Sequence, residues 1–330
     1  MKLSVLDQSP MARGESASQA VEHTISLARR CDELGYHRYW LAEHHASKTL
    51  ACSAPEILIG RVAQETERIR VGSGGVMLTH YSPFKVAESF KLLELLYPGR
   101  IDLGVGRAPG GDRLTMRALA YGNRVGIEYY PAKVQDMLAW VSGGKPVTGA
   151  LERLEATPKI STVPEVWMLA SSMDSAMYAA NLGLPLSFAH FIEPKPAIEV
   201  MQAYRREFRP VYLKEPHSSV GVFAIAHEDP ERVELFRRMR ELQRIRRDRG
   251  IRGPTPTLDE AAEYEFTEDQ LAGMRTRRSR QIIGTPGEVR SEVDELVEAT
   301  AADEVVILTI TPSFEDRVRS YELIAAEYSL

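Results

Sequence analysis

Short runs of apolar residues alternate along the chain with longer segments in which apolar residues recur every three or four positions. The short runs predict buried strands, and the periodic segments predict helices with one apolar face. Strands are predicted at about residues 3–6, 39–41, 69–76, 101–105, 166–169, 186–189, 219–226 and 304–310. Helices are predicted at about residues 18–34, 55–65, 84–97, 126–140, 174–182, 195–208, 231–246, 288–299 and 314–328.

Each predicted strand is followed by at least one predicted helix, and several strands are almost entirely apolar. Parallel strands that are buried on both faces have this composition. No Pro/Ser-rich linker divides the chain, and no repeat of fixed period exists beyond the strand–helix alternation. The pattern therefore predicts a (β/α)8 TIM barrel, formed as a single domain by residues 1–330, rather than a two-domain dinucleotide-binding protein. Insertions are expected after the fourth strand and before the last strand.

Residues 247–280 form a polar stretch with little apolar periodicity. A long segment of this kind inside a compact domain is typical of a functional lid or of disorder. We expect a lid. Its arginines are Arg247, Arg249, Arg252, Arg275, Arg277, Arg278 and Arg280.

Composition narrows the classes of function. The chain has 41 Lys and Arg against 46 Asp and Glu, a net charge of −5 without a basic cluster, which argues against nucleic acid as the main partner. No apolar run approaches the ~18 residues of a membrane-spanning helix, and Asp7 comes too early for a signal peptide. Only Cys31 and Cys52 are present, which excludes a disulfide scaffold and favours a reducing cytoplasm.

The catalytic groups of a TIM barrel lie at the carboxyl ends of its strands. Glu43, His44 and His45 follow the second predicted strand. Because histidine titrates near neutral pH, this run predicts an acid/base group at the barrel mouth. The alternative is a pair of structural histidines that cap the loop. A metal site needs more ligands, so no metal is expected.

Residues 72–75 (GSGG) end the third predicted strand. Glycines weaken a strand, so we expect something to require them there. Either a flat ligand lies against bare backbone, or the chain adopts a conformation that only glycine tolerates. A simple β-bulge is the alternative.

The fourth predicted strand is followed by Gly106, Arg107 and Pro109. The glycine spacing resembles a phosphate loop, but no Lys-Ser/Thr follows and proline removes one backbone donor, so it is weak as a dinucleotide motif. Arg107 is more informative, because a guanidinium at a strand end is a good phosphate ligand. The alternative is a structural arginine held in a salt bridge.

Ser172, Asp174 and Ser175 follow the fifth predicted strand, where a helix begins. Hydroxyls and free N–H groups at a helix N-terminus form an anion site, although Ser172 or Asp174 could simply cap the helix. Strands four and five are neighbours in a barrel. We therefore expect Arg107 and the two serines to bind one phosphate group together.

The chain resembles the bacterial luciferase-like flavin monooxygenases over nearly its whole length. Each matching stretch is modest alone, but their order and spacing are specific to this family. The stretches are residues 39–45 (YWLAEHH), 70–78 (RVGSGGVML), 80–83 (HYSP), 97–110 (YPGRIDLGVGRAPG), 179–185 (AANLGLP) and 283–286 (IGTP).

The resemblance implies a luciferase-like (β/α)8 barrel, usually a homodimer, that binds reduced FMN (FMNH2) supplied by a separate flavin reductase. It assigns the FMN phosphate to Arg107, to the Ser172 and Ser175 hydroxyls and to the backbone N–H of Met173. A small organic substrate and O2 complete the expected partners.

The resemblance also assigns residues to the flavin ring. Gly74–Gly75 matches a non-proline cis peptide beside the isoalloxazine, and Gly106 belongs to the same cofactor site. His44 matches the histidine that has acid/base duty near the flavin. Residues 247–280 match the mobile lid.

The expected reaction is a monooxygenation through a flavin C4a-hydroperoxide, which the lid would keep dry and His44 would supply with protons. One oxygen atom enters the substrate by epoxidation, hydroxylation or Baeyer–Villiger insertion. Thr79, where many relatives have proline, and residues 113–130 depart from the family pattern. These departures favour a tailoring enzyme of antibiotic biosynthesis, for example one acting on an aromatic polyketide.

Three alternatives remain open at this point. The first is an F420-dependent oxidoreductase on the same barrel, although the Glu-His-His run favours FMN. The second is a non-catalytic FMN-binding protein. The third is a barrel enzyme for a phosphorylated sugar, in which Arg107 and Ser172 bind the phosphate of the substrate.

Overall fold

Eight parallel strands close into a barrel in the computed structural model, as the strand–helix alternation predicts. The structure describes residues 1–108, 110–122, 126–276 and 281–330. Pro109, Arg277, Arg278, Arg280 and the side chain of Arg275 lie outside the described residues. The barrel strands are β1 (Lys2–Asp7), β2 (Arg38–Leu41), β3 (Arg70–Met77), β4 (Ile101–Gly106), β5 (Glu165–Ala170), β6 (Leu186–Ala189), β7 (Ser218–Ala226) and, after the short strand β8 (Ile282–Gly284), β9 (Glu304–Leu308).

Helices surround the barrel. They are α1 (Ala17–Leu34), α2 (Pro55–Gln64), α3 (Pro83–Leu96), α4 (Arg113–Ala120), α5 (Tyr130–Ser142), α6 (Met173–Leu182), α7 (Ala197–Glu207), α8 (Pro230–Asp248), α9 (Leu258–Glu263), α10 (Glu268–Thr276), α11 (Pro286–Thr300) and α12 (Phe314–Tyr328). Two 3-10 helices, Ile127–Tyr129 and Gly149–Leu151, lie between β4 and β5. Among the described residues, no helix is both long and apolar enough to cross a bilayer.

Local signals fix several helix ends. α1 begins at a capping box between Ser16 and Gln19 and ends at Gly35, whose φ of 93° is left-handed. α11 begins in the same way, with a capping box between Thr285 and Glu288 and with proline in its first turn. These ends agree with the predicted helices because the residue types that cap helices stand at them.

The sequence-based prediction missed three helices and one strand. α4, α9 and α10 have only 8, 6 and 9 residues, and the first two each bury only one residue, Ala120 and Ala261. β8 has three residues and pairs with residues 224–226 of β7, beyond the part of β7 that pairs with β9. Elements this short or this exposed leave little periodic signal in the sequence.

The core has two layers. An outer layer packs helix residues against one face of the strands, and both free cysteines, Cys31 and Cys52, are buried in it. An inner layer fills the barrel with larger side chains, among which the rings of Trp40 and Trp167 lie 5.2 Å apart, edge to face. An eight-stranded barrel has an interior that side chains fill in this way.

A charged network closes the amino end of the barrel. Arg38, which is 3% exposed, donates to Glu304 at 2.9 Å, to Asp102 at 2.8 Å and to Glu165 at 3.0 Å, so it joins β2 to β9, β4 and β5. Burial alone would raise the pKa of Glu304, but hydrogen bonds from His217 and Arg38 hold that pKa well below its ordinary value. The charges are therefore paired within the network.

Replacing Arg38 with methionine should strongly destabilise the fold. The change keeps an apolar stem but removes the arginine that pairs with the buried carboxylate of Glu304 and one of the two arginines, Arg38 and Arg70, that pair with Asp102. Breaking a buried ion pair on one side typically costs about 3–5 kcal/mol. Chemical denaturation measures the free energy of unfolding. The control is Arg206→Met, which removes an exposed ion pair with Glu207 and should change stability by less than about 1 kcal/mol. Equal effects of the two substitutions would show that the network is not structurally important.

Candidate active site at the carboxyl ends of the strands

Strands β3 and β4 approach each other too closely for side chains. A Cβ at Gly75 would lie 2.7 Å from the carbonyl oxygen of Gly104, and a Cβ at Gly74 would lie 2.6 Å from Cδ1 of Leu6. The β3–β4 register shifts between Gly74 and Val76, which agrees with the alternative of a β-bulge. The Gly74–Gly75 peptide is also cis, as the resemblance implies. Close packing against Leu6 and Gly104 therefore requires glycine at 74 and 75, and we call Gly74, Gly75 and Gly106 the glycine floor.

Gly106 differs from the other glycines of this floor. A Cβ placed there would meet no atom within 4 Å, so neighbouring protein atoms do not require glycine at this position. Open space beside a strand end is the kind of place where a bound group can approach the backbone closely.

Arg107 and the start of α6 come together, as predicted from the two adjacent strands. Nη2 of Arg107 lies 3.4 Å from the hydroxyl of Ser172, and Nη1 lies 3.4 Å from a carboxylate oxygen of Asp174. These contacts are long for charged hydrogen bonds. The Asp174 side chain is 74% exposed and the Arg107 side chain 30%, so the ion pair holds the guanidinium only loosely.

The first turn of α6 begins without a side-chain cap. Ser172 is the N-cap residue, but its side chain makes no capping bond, so the alternative of plain capping by Ser172 is wrong. Ser175 lies in the same turn and is buried, and the turn begins with Met173. Free N–H groups and hydroxyls beside a guanidinium form a site for a phosphate-sized anion.

Glu43, His45 and Tyr81 form a connected hydrogen-bond cluster behind the mouth. A carboxylate oxygen of Glu43 lies 2.6 Å from Nε2 of His45 and accepts from the Tyr81 hydroxyl at 2.5 Å. The other oxygen of Glu43 accepts from the backbone N–H of Met77 in β3. Burial, and then the hydrogen bond to Glu43, raise the pKa of Tyr81 well above its ordinary value. Tyr81 was not predicted as a site residue, although it lies in the matched stretch 80–83.

His44 makes different contacts from its neighbour. Its backbone N–H donates to the carbonyl of Cys52 at 2.9 Å, whereas its Nδ1 is shielded from solvent and has no hydrogen-bond partner within the described part of the chain. Burial lowers the pKa of His44, and the negative charge of Glu43 opposes that shift. A largely neutral imidazole at pH 7 can accept a proton, which is the property expected of a base.

A cavity of about 2140 Å³ lies beside these groups. His45 and the loop at 46–50 line one side, α8 and the loop at 250–256 line another, and the ends of β7, β8 and β9 contribute an apolar floor. Arg107, Ser172, Gly74 and His44 are not in its lining. The mouth of the barrel therefore contains two neighbouring regions, the contact of Arg107 with the start of α6 over β4 and β5 and a large cavity over β7 to β9.

Within the described ranges, no three His, Cys, Asp or Glu side chains converge as a metal-binding group. The structure thus brings together Arg107, Ser172, Met173 and Ser175 in one region. Gly74, Gly75 and Gly106 lie at the ends of the neighbouring strands.

Comparison with known proteins identifies the family. The model of the luciferase-like monooxygenases matches residues 1–303. The chain is 35% identical over 327 residues to a luciferase-like monooxygenase of Escherichia coli (strain K12), covering 97% of this chain and 95% of that protein. It is also 35% identical to the N-acetyl-S-alkylcysteine monooxygenase of Bacillus subtilis (strain 168), covering 98% and 97%. The chain belongs to the luciferase-like monooxygenase family.

Solved structures agree on the fold. The structure of apo-MsnO8 matches with a TM-score of 0.93 and 36% identity, covering 100% of this chain and 98% of that chain. The oxygenating constituent of 3,6-diketocamphane monooxygenase from Pseudomonas putida, a type II Baeyer–Villiger monooxygenase in complex with FMN, matches with a TM-score of 0.70 and 18% identity. An F420-dependent secondary alcohol dehydrogenase matches with a TM-score of 0.65 and 16% identity. The match to the 3,6-diketocamphane monooxygenase covers 98% of this chain and 96% of that chain. The match to the alcohol dehydrogenase covers 99% of this chain and 98% of that chain. Both similarities concern the fold alone.

The titration of His44 tests the electrostatics of the site. We expect a midpoint below the ordinary value of 6.5, because burial disfavours the charged ring. Glu43→Gln should lower the midpoint further, because it removes the carboxylate charge that favours the protonated ring. The measurement is NMR of the chain with ¹³C-labelled histidine, and His44→Gln assigns the signal.

Tyr81→Phe is the matched control for this titration. It removes the hydroxyl that donates to Glu43 but keeps the carboxylate, so the His44 midpoint should fall less than in Glu43→Gln. A midpoint that rises in Glu43→Gln would contradict the proposed charge interaction.

Proposed function

We propose that the chain is a two-component flavin monooxygenase that uses reduced FMN and O2 to insert one oxygen atom into a small organic substrate. The observation that carries the proposal is the convergence of the Arg107 guanidinium with an uncapped helix N-terminus at Ser172. Family membership supports the reaction class, and the FMN complex of the 3,6-diketocamphane monooxygenase supports the choice of cofactor.

The residues present suit the phosphate end of FMN. Arg107 supplies charge and a fork of donors, Ser172 and Ser175 supply hydroxyls, and Met173 supplies a backbone N–H at the positive end of the α6 dipole. Asp174 would disfavour an anion, but its exposed carboxylate is free to turn into solvent when the phosphate binds Arg107. The alternative of a phosphorylated sugar uses the same groups. A measurement of flavin binding is therefore needed to distinguish the two hypotheses.

The glycine floor suits a flat ring. Gly74 and Gly75 present peptide backbone rather than a side chain near the end of β3, and the open space at Gly106 lies next to Arg107 at the end of β4. We propose that the isoalloxazine lies over this floor with its phosphate at Arg107.

The bound cofactor would supply two electrons and the activation of O2, so that one oxygen atom enters the substrate and the other leaves as water. His44 would accept or return protons at the reacting centre, because its buried imidazole is poised to be neutral at pH 7. Glu43 and Tyr81 would orient His45 at the edge of the cavity. The described part of segment 247–280 lines the cavity and would exclude water when closed.

The partners follow from the same proposal. A separate flavin reductase would supply the reduced cofactor. A homodimer would bury exposed apolar side chains on the packed helices α2 and α3, which are Ile57, Leu92, Leu95 and Leu96. Sedimentation of the purified chain tests the dimer. The substrate would undergo epoxidation, hydroxylation or Baeyer–Villiger insertion, in a tailoring step of secondary metabolism such as the oxidation of an aromatic polyketide.

Arg107→Met should weaken FMN binding without affecting riboflavin, which lacks the phosphate. Loss of charged hydrogen bonds worth about 1.5–3 kcal/mol corresponds to about a ten- to hundredfold rise in the dissociation constant. Anaerobic calorimetry with each reduced flavin measures both constants, and titration with F420 provides a third arm. An unchanged FMN affinity, or equal weakening for FMN and riboflavin, would contradict the phosphate assignment. Binding of F420 in place of FMN would support the deazaflavin alternative.

Oxygen transfer is tested with the full chain, FMN, NADH, a purified flavin reductase and ¹⁸O2 against a panel of aromatic and aldehyde compounds. We expect one ¹⁸O atom in the product by mass spectrometry. His44→Ala should bind FMN normally but form product at least about a hundredfold more slowly, the usual effect of losing an acid/base group. Binding of FMN without ¹⁸O in any compound would favour the non-catalytic FMN-binding protein.

A further inference from the structure

The cavity over β7 to β9 combines an apolar floor with a basic wall. Phe223, Leu308 and Ile310 contribute to the floor at the ends of β7 and β9. Seven arginines and one lysine line the cavity against five carboxylates. The excess of positive charge is local, because the whole chain carries a net charge of −5.

The carboxylates that line this cavity are already bound to protein groups. Each of them accepts from an arginine, lies in an ion pair or caps a helix: Glu241 and Asp248 contact Arg244, Glu260 contacts Arg246 and Arg13, Glu234 contacts Arg237, and Asp112 caps α4. None of these contacts involves Arg240.

Arg240 on α8 stands out among those cations. Its guanidinium carbon lies 3.9 Å from the centre of the Phe223 ring, and its Nη1 donates to Gln243 at 2.6 Å. Its Nε is shielded from solvent and has no hydrogen-bond partner, and no carboxylate forms an ion pair with it in the part of the chain that the structure describes. A shielded charged donor without a partner is costly and calls for an explanation.

The surroundings of Arg240 favour an anion. Burial, and then the nearby positive charge of Arg247, lower the pKa of the Arg240 guanidinium. An anionic group in the cavity would offset both effects. Stacking on Phe223 holds the planar guanidinium in place, which preorganises its remaining donors for a carboxylate.

We infer that Arg240 forms the anion subsite of the substrate pocket, so that the compound oxygenated by this protein has an apolar body and a carboxylate group. The apolar body would lie over Phe223, Leu308 and Ile310. That the bound compound is a substrate rests on the proposed function. The preference for an anionic ligand does not require the flavin. It is separate from the phosphate site, because Arg107 and Ser172 do not line this cavity.

The test uses 1-naphthoate as an apolar carboxylate and 1-naphthamide as its neutral counterpart, titrated calorimetrically into the purified full chain. The wild-type chain should bind 1-naphthoate about tenfold or more tightly than 1-naphthamide. Arg240→Met should abolish this preference, and Arg240→Lys, which keeps the charge but not the fork of donors, should retain part of it. Absence of the preference in the wild type overturns the inference.

Lys48→Met is the matched control, because it removes one positive charge from the same cavity. It should leave most of the preference in place, and an equal loss in Lys48→Met and Arg240→Met would overturn the assignment to Arg240. Arg240→Met should bind FMN as the wild type does. Normal FMN binding without a naphthoate preference ends only this inference, whereas a naphthoate preference without FMN binding supports the anion subsite and ends the proposed function.

Discussion

The contact of Arg38 with three carboxylates is the interaction on which the barrel depends. It ties strands from opposite parts of the sequence, β2, β4, β5 and β9, across the amino end of the barrel. The indoles of Trp40 and Trp167 donate to Asp102 and Glu165 of the same network, so the next layer of the interior is anchored to the charges below it. Because these side chains fill the amino end and the middle of the barrel, the large cavity between the described residues lies at the carboxyl end.

In β3 and β4, the residues that face one side of the strand change from charged residues at the amino end to glycines toward the carboxyl end. Along β3 and β4, Arg70 and Asp102 are followed two residues later by Gly72 and Gly104. Gly72 lies against the backbone of Asp102, and Gly104 lies against that of Ser73. Because successive side chains point to opposite faces of a strand, residues two apart lie on the same face. The glycines in these strands therefore account both for the glycine floor and for the close approach of β3 to β4.

The fold was predictable because the eight barrel strands are apolar and the main helices carry an apolar stripe and recognisable caps. α4 and β8 could not be predicted from the sequence, because α4 has eight residues and buries only Ala120, and β8 is a three-residue strand paired with the end of β7. Arg107 and Ser172 were predictable as neighbours because their strands are adjacent. The roles of Tyr81 and Arg240 were not, because each depends on a contact between distant segments, with Glu43 and Phe223 respectively.

Two cationic groups in one barrel mouth would allow a cofactor and a substrate, both anionic, to bind at the same time. A cofactor phosphate and a substrate carboxylate repel each other, and one guanidinium shared between them would bind whichever was more concentrated. Arg107 at the end of β4 and Arg240 on α8 belong to separate regions of the mouth. Arg107 has only a loose contact with an exposed carboxylate, while Arg240 is held against an aromatic ring. In the proposed arrangement each anion would meet its own guanidinium, and only that of Arg240 is held in place by an aromatic ring before binding.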